Sequence, residues 1–285
     1  MTIGGATRLV GLIGDPVEHS LSPLMQNAAF AAVALDWTYV PLPVKRERLE
    51  EAVAGLEALG FAGANVTIPH KTAVIGYCDE LDDVAARAGS VNTLVVRDGR
   101  VLGSSTDGPA VVGLVEAQDA RVLVLGAGGG AQAAATSLGG AGAESITVAA
   151  RDTERAHALA VRLRTLFPES QISAEGDWPP TGLEVTLIVN ATPIRDEALI
   201  ELSPEQQVVD LAYRQDGSDT ALVAAARQAG CERIVDGLEI LLAQGAASFE
   251  RWTGIEAPVP VMRAASRAET VLFRSDRHAS AKPEP

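Results

Sequence analysis

The chain has 285 residues, 47% of them hydrophobic and only 4% aromatic, with a formal net charge of −14. That length supports two units with separate cores, while the negative charge argues against partners built on phosphate backbones or anionic lipid surfaces. The scarcity of aromatic rings also argues against an extended stacking platform for bases or sugars.

In chain order, "RLVGLIG" (8–14) reads as a strand and "SPLMQNAAFAAVAL" (22–35) as a helix, with Ser22 as candidate N-cap and Pro23 in the first turn. "WTYVPLPV" is extended, "RERLEEAVAGLEAL" (46–59) is an amphipathic helix, and "GANVT" is a strand. "DELDDVAARAG" predicts a helix closed by Gly89, before the strand "VNTLVV". This alternation predicts an α/β unit with a mostly parallel sheet.

A cleaner strand–helix rhythm begins near residue 107. "RVLVLG", "SITVAA", "EVTLIVNAT", "QVVDLAY" and "RIVDG" read as strands, and the small-residue run to Leu138, "TERAHALAVRLRTLF" and "TALVAAARQAG" as helices, a doubly wound pattern. In "GLEILLAQGAASFERWTG" (237–254), Leu238, Leu241, Leu242, Ala246, Phe249 and Trp252 recur at helical spacing, so this helix packs back on the first unit. A last helix is expected from about Val259 to Phe273, followed by a polar, disordered tail.

The charge-free run 122–143 is broken by Gly126, Gly128, Gly129 and Gly130, so it is a turn between elements and not a membrane span. The N-terminal apolar patch lacks the basic region and cleavage site of a signal peptide. Cys78 and Cys231 stand far apart, with no metal-ligand spacing, as reduced thiols do in a cytoplasmic protein; no metal is expected.

Two stretches carry chemistry. In "VLGAGGGAQAA", Gly126, Gly128 and Ala131 hold the G-x-G-x-x-G/A spacing between a strand and a helix, with a second strand following at "SITVAA". Such glycines let a pyrophosphate approach backbone N–H groups at a helix start, so a dinucleotide is expected here. At the end of the second strand stand Arg151, Asp152 and Arg155. The two guanidiniums suit the 2′-phosphate of NADP. Asp152 serves either as an acceptor for the 2′-hydroxyl of NAD or as the N-cap of the next helix, and the cap is favoured because Arg151 lies nearest the strand end. NADP is therefore expected, with NAD open. In "GANVTIPHK" (63–71), Asn65 and Thr67 leave one face of a strand that runs into Lys71. An amide, a hydroxyl and an ammonium together suit a small polyhydroxylated molecule.

"GDPVEHSLSP", "NVTIPHK", "GSVNTL", "STDG" and the helix 237–254 together resemble the shikimate dehydrogenases, in order and across nearly the whole chain. The resemblance implies a two-domain α/β enzyme. Its parts would be a mixed α/β substrate domain (1–106), a Rossmann-type doubly wound NADP-binding domain (107–237), C-terminal helices on the substrate domain (238–274) and the tail (275–285). It implies that Ser20 and Ser22 hold a substrate carboxylate, that Asn65, Thr67, Asn92 and Gln244 bond its hydroxyls, and that Tyr213 lies against the same ligand. Lys71 and Asp107 would be the catalytic pair of a reversible reduction of 3-dehydroshikimate with NADPH. Gly126, Gly128, Gly129, Gly130, Ala131, Arg151, Arg155, Thr192 and Gly237 would line the cofactor.

The partners implied are small molecules, not nucleic acid or membrane, with a homodimer left open. The alternatives are a quinate/shikimate dehydrogenase using NAD and a catalytically silent dinucleotide sensor. Ser105, Gln26, Arg195, Asp196 and the missing proline after Tyr213 depart from the family pattern. They bear on substrate and cofactor choice more than on reaction type.

Overall fold

The computed structural model describes residues 3–267. Two six-stranded sheets organise it. The first is laid down by β1 (Arg8–Gly14), helix α1 (Ser22–Ala32), β2 (Trp37–Pro43), α2 (Leu49–Ala58), β3 (Gly63–Val66), β4 (Glu80–Leu81), α3 (Asp83–Ala88), β5 (Thr93–Arg97) and β6 (Arg100–Ser104). Their order across the sheet is β2-β1-β3-β5-β6-β4.

The expected parallel pairing holds for β2, β1 and β3, but β5 runs antiparallel to both β3 and β6, so the sheet is mixed. The cause is local. Between β5 and β6, Asp98 and Gly99 both take positive φ, 52° and 71°, the Asp-Gly signal of a tight hairpin. Ser22 also departs from expectation. It lies inside α1, Leu21 takes the N-cap position, and the Ser22 N–H donates to Ser20 Oγ at 3.2 Å.

After the short helix α4 (Asp107–Val112) come β7 (Arg121–Leu125), α5 (Gly129–Gly140), β8 (Ser145–Ala149), α6 (Thr153–Leu166), β9 (Gln171–Ala174), β10 (Leu187–Asn190), β11 (Gln207–Asp210), α7 (Ala221–Ala229) and β12 (Arg233–Val235). The order β12-β11-β10-β7-β8-β9 is parallel throughout. It is the 3-2-1-4-5-6 dinucleotide-binding arrangement, whose strand order reverses between β7 and β10. Buried strands of Val, Leu and Ile are covered by the Ala-rich face of α5 and by Ala156, Leu159, Ala160 and Leu163 of α6.

Helix α8 (Gly237–Thr253) then returns to the first sheet. Leu242, Ala246, Phe249 and Trp252 join Met25, Phe30, Trp37 and Tyr39 in one core. Phe30 and Phe249 stack with centroids 5.3 Å apart, and the Trp252 indole donates to the Leu94 carbonyl at 2.9 Å. The buried face differs slightly from the spacing read in sequence, since Ile240 is buried while Leu238 and Leu241 are only half-buried. A further helix occupies 259–267; its expected extension to Phe273 and the tail lie outside the described residues.

Candidate active site

The loops after β7 and β11, at the carboxyl ends of the second sheet's strands, meet the first unit. After β7, Gly126 takes φ +111°, and a methyl there would stand 3.1 Å from the Ala191 carbonyl oxygen and 3.3 Å from Thr192 Cγ2. Gly126 and Thr192 thus face each other at the strand-order reversal, where open α/β sheets bind their ligands. Gly128 is the N-cap of α5, contributes no side-chain cap, and has nothing within 4 Å of where its methyl would be. The first N–H groups of α5 thus have no side-chain cap, and there is open space at Gly128 beside them, as an anion site at a helix start requires. Ala131 is fully buried behind them.

Gly129 joins the two units. A methyl on it would lie 2.6 Å from Lys71 Cβ and 2.9 Å from Ser90 Oγ. Only a glycine lets this helix start rest directly on Lys71. Gly237 is pressed as tightly, 2.3 Å in the same sense from the Ala212 carbonyl oxygen.

Arg151 and Arg155 are both exposed. Between them, Asp152 Oδ1 accepts from the Arg155 backbone N–H at 3.1 Å, so it is the N-cap of α6 and faces the helix. The geometry is that of the cap, the favoured reading of Asp152.

On the facing side, Lys71 Nζ donates to Asp107 Oδ2 at 2.5 Å. The lysine side chain is 18% exposed and the aspartate side chain 7%. Asp107 Oδ1 accepts from Asn92 Nδ2 at 2.8 Å. Asn92 Nδ2 also faces Thr106 Oγ1 at 2.8 Å and Gln244 Oε1 at 3.2 Å. Its oxygen accepts from the Thr106 N–H at 2.8 Å and from Thr93 Oγ1 at 3.2 Å. All of Asn92's capacity is spent inside the protein, where it holds the Asp107 carboxylate in place.

Asn65 Oδ1 accepts from the Tyr39 hydroxyl at 2.9 Å, and Ser22 hydrogen-bonds the same phenol, whose ionisation burial strongly opposes. Tyr213 crosses from the β11–α7 loop to the first unit. Its hydroxyl accepts from the Leu21 N–H at 3.4 Å and bonds Ser20; burial raises its pKa. Thr67 packs by its methyl near Gly14, and among the described residues its hydroxyl has no hydrogen bond.

Lys71, Asp107, Asn92, Gln244, Asn65, Ser20, Ser22 and Tyr213 are thus brought together, with the glycine loop on Lys71. Tyr39 and Ser248 were not foreseen. Ser248 could have been: four residues after Gln244, it interrupts the apolar stripe of α8 on the same face.

Two departures from the expected motif are buried without full partners among the described residues. Ser105 Oγ has none, and Gln26 donates to the Gly245 carbonyl while its own oxygen has none. Asp196 pairs with Arg214, and the Arg195 carbonyl accepts from the Ala221 N–H at 2.8 Å, so this pair braces a loop. No helix among the described residues is long and apolar enough to cross a membrane.

Asp210 supports the loops that carry Thr192 and Tyr213. It accepts from Asn190 at 2.8 Å, from the Ala212 N–H at 2.9 Å and from Thr220 at 2.5 Å. Burial, only partly offset by these bonds, pushes its carboxyl up from 3.8 to about 6. The folded state then holds this proton more tightly than the unfolded chain. Its stability contribution is full below about pH 4 and is lost as pH rises through about 6, a change of about 2–3 kcal/mol. In urea titrations, wild type is expected to gain on Asp210→Asn by that amount from about pH 7 to about pH 4; a difference independent of pH would show an unshifted carboxyl.

Known proteins resemble this chain along most of its length. Residues 12–94 match the family model of the shikimate dehydrogenase substrate binding domain, 111–172 that of shikimate / quinate 5-dehydrogenase, and 237–265 that of the shikimate 5'-dehydrogenase C-terminal domain. A shikimate dehydrogenase (NADP(+)) of Moorella thermoacetica is 43% identical over 91% of this chain and 92% of its own. A crystal structure of a shikimate dehydrogenase in complex with NADP+ superposes with a TM-score of 0.85 at 35% identity, covering 94% of this chain and 98% of the other. A quinate dehydrogenase from Corynebacterium glutamicum in complex with NAD gives a TM-score of 0.76 at 30% identity, covering 91% and 98%.

Proposed function

The chain belongs to the shikimate dehydrogenase family, and from that membership we propose that it catalyses the reversible, NADPH-dependent reduction of 3-dehydroshikimate to shikimate. The observation that carries the reading to these residues is the Lys71–Asp107 pair, 2.5 Å apart and in contact with the glycine loop through Gly129. The uncapped start of α5, the open space at Gly128 and the two exposed arginines after β8 fit a phosphorylated dinucleotide. When bound, that cofactor supplies or accepts the hydride. Lys71 and Asp107 pass a proton to or from the substrate oxygen, and the proton belongs to the pair, not to one member.

Ser20 and Ser22 hold the substrate carboxylate; Asn65, Thr67 and Gln244 meet its hydroxyls, Asn92 sets Asp107, and Tyr213 closes over the ligand. In this reading 1–106 with the C-terminal helices is the substrate domain and 107–237 the cofactor domain, in a cytoplasmic enzyme of small-molecule partners.

Steady-state kinetics of shikimate and quinate, each with NADP and NAD, tests the reading. Shikimate with NADP is expected to give the highest kcat/KM. A preference for quinate with NAD would support the alternative dehydrogenase, and absence of turnover would leave a dinucleotide sensor. Within the same assay, Arg151→Ala should lower the NADP-to-NAD ratio by ~10–100-fold, the size of one charge-assisted hydrogen bond. Asp152→Ser, which keeps a capping oxygen, should leave the ratio near wild type or raise it. A wild type that prefers NAD would overturn the cofactor assignment.

A further inference from the structure

Asn65 has two amide protons and two carbonyl lone pairs, and the protein spends most of them. Nδ2 donates to the Asn92 carbonyl at 3.0 Å and to Ser248 Oγ at 2.9 Å. Ser248 is fully buried. Its one proton goes either back along α8 to the Gln244 carbonyl at 3.0 Å or to Thr93 Oγ1, 2.8 Å away, whose own proton is given to Asn92; in both cases its oxygen accepts from Asn65. On the opposite side, the Tyr39 phenol donates to Asn65 Oδ1. A flipped amide would set oxygen against two acceptors. That fixes the orientation, with the Tyr39 phenol donating to the oxygen so placed, and the capacity left over is one lone pair on Oδ1.

We propose that Tyr39 and Ser248 are positioning residues that make Asn65 an acceptor toward the pocket, so that it selects a ligand hydroxyl that donates and rejects a group that only accepts. The inference rests on the reading of Asn65 as a substrate contact. It assigns discrimination at that contact to two side chains that need not touch the ligand: one on an edge strand, the other on the last long helix.

The test compares shikimate with analogues in which each ring hydroxyl not being oxidised is replaced by fluorine, which accepts weakly and cannot donate. Wild type should show a marked loss in kcat/KM for one analogue. Tyr39→Phe and Ser248→Ala should each shrink that loss by ~3–10-fold, the worth of one neutral hydrogen bond. A merely structural role would weaken shikimate and the analogues in parallel and leave their ratio unchanged, which would overturn the inference.

Wild-type turnover of shikimate with NADP tests the underlying reading alone. If it is absent, that reading falls and the inference with it; if it is present with constant ratios, only the inference falls. Tyr39→Phe retains nearly all of the buried ring, and thermal unfolding of both single variants checks that each is folded.

Discussion

Lys71→Ala is expected to lower kcat for shikimate oxidation by ~10²–10⁴-fold, the usual worth of a positioned proton-transfer group, while the KM for shikimate rises only modestly. The split follows from the geometry. The ammonium meets Asp107 Oδ2, whereas the other carboxylate oxygen is held by Asn92, and neither Asn65 nor Gln244 depends on Lys71. Removing the amine therefore leaves the pocket floor in place and takes away a group that matters in the transition state. Because Lys71 and Asp107 act as one unit, Lys71→Ala with Asp107→Asn should be little slower than the worse single variant. A Lys71→Ala enzyme within a few-fold of wild-type turnover would remove Lys71 from the chemistry.

The second large effect belongs to binding. Replacing both Ser20 and Ser22 by Ala should raise the KM for shikimate by ~10²–10⁴-fold, since each lost hydrogen bond to a charged group costs about 1.5–3 kcal/mol. The KM for NADP should not move, because the two hydroxyls bond Tyr213 and Tyr39 and no glycine-loop residue is among these partners. The loss should be shared by any ligand that keeps the carboxylate and absent for one that lacks it. An unchanged KM would mean that the anion is held elsewhere.

Much of this site was legible because its signals are local. The glycine loop, the strands on either side of it and the Asp152 cap each depend on neighbours a few residues away, and the second sheet is doubly wound as those signals imply, with the short edge strand β9 added to the strands read in sequence. The first sheet was harder. Strand–helix alternation suggested parallel pairing, and the Asp98–Gly99 turn, a two-residue signal, reverses the chain between β5 and β6.

Tyr39 and Ser248 stayed hidden for a different reason. Each gains its meaning from Asn65, at separations of 26 and 183 residues, and no pattern in one stretch of chain encodes such a meeting. The same holds for Asn92, whose amide reads as a ligand contact in sequence and is fully engaged with Asp107, Thr106, Thr93 and Gln244 in the fold.

The return of α8 to the first sheet sets the order in which the halves of this protein become complete during synthesis. All strands of the second sheet lie in one uninterrupted stretch, β7 to β12, and have been made once Val235 is added. At that moment Met25, Phe30 and Trp37 still lack Phe249 and Trp252, the residues that shield them from water. Burial of each such side chain contributes about 1.5–3 kcal/mol. Gln244 and Ser248, which hydrogen-bond Asn92 and Asn65, are also still to come. A single cut after Val235 would spare every strand of both sheets and yet remove both of these partners. The second sheet is a contiguous passage of the chain, and the core of the first unit is assembled from segments on either side of it.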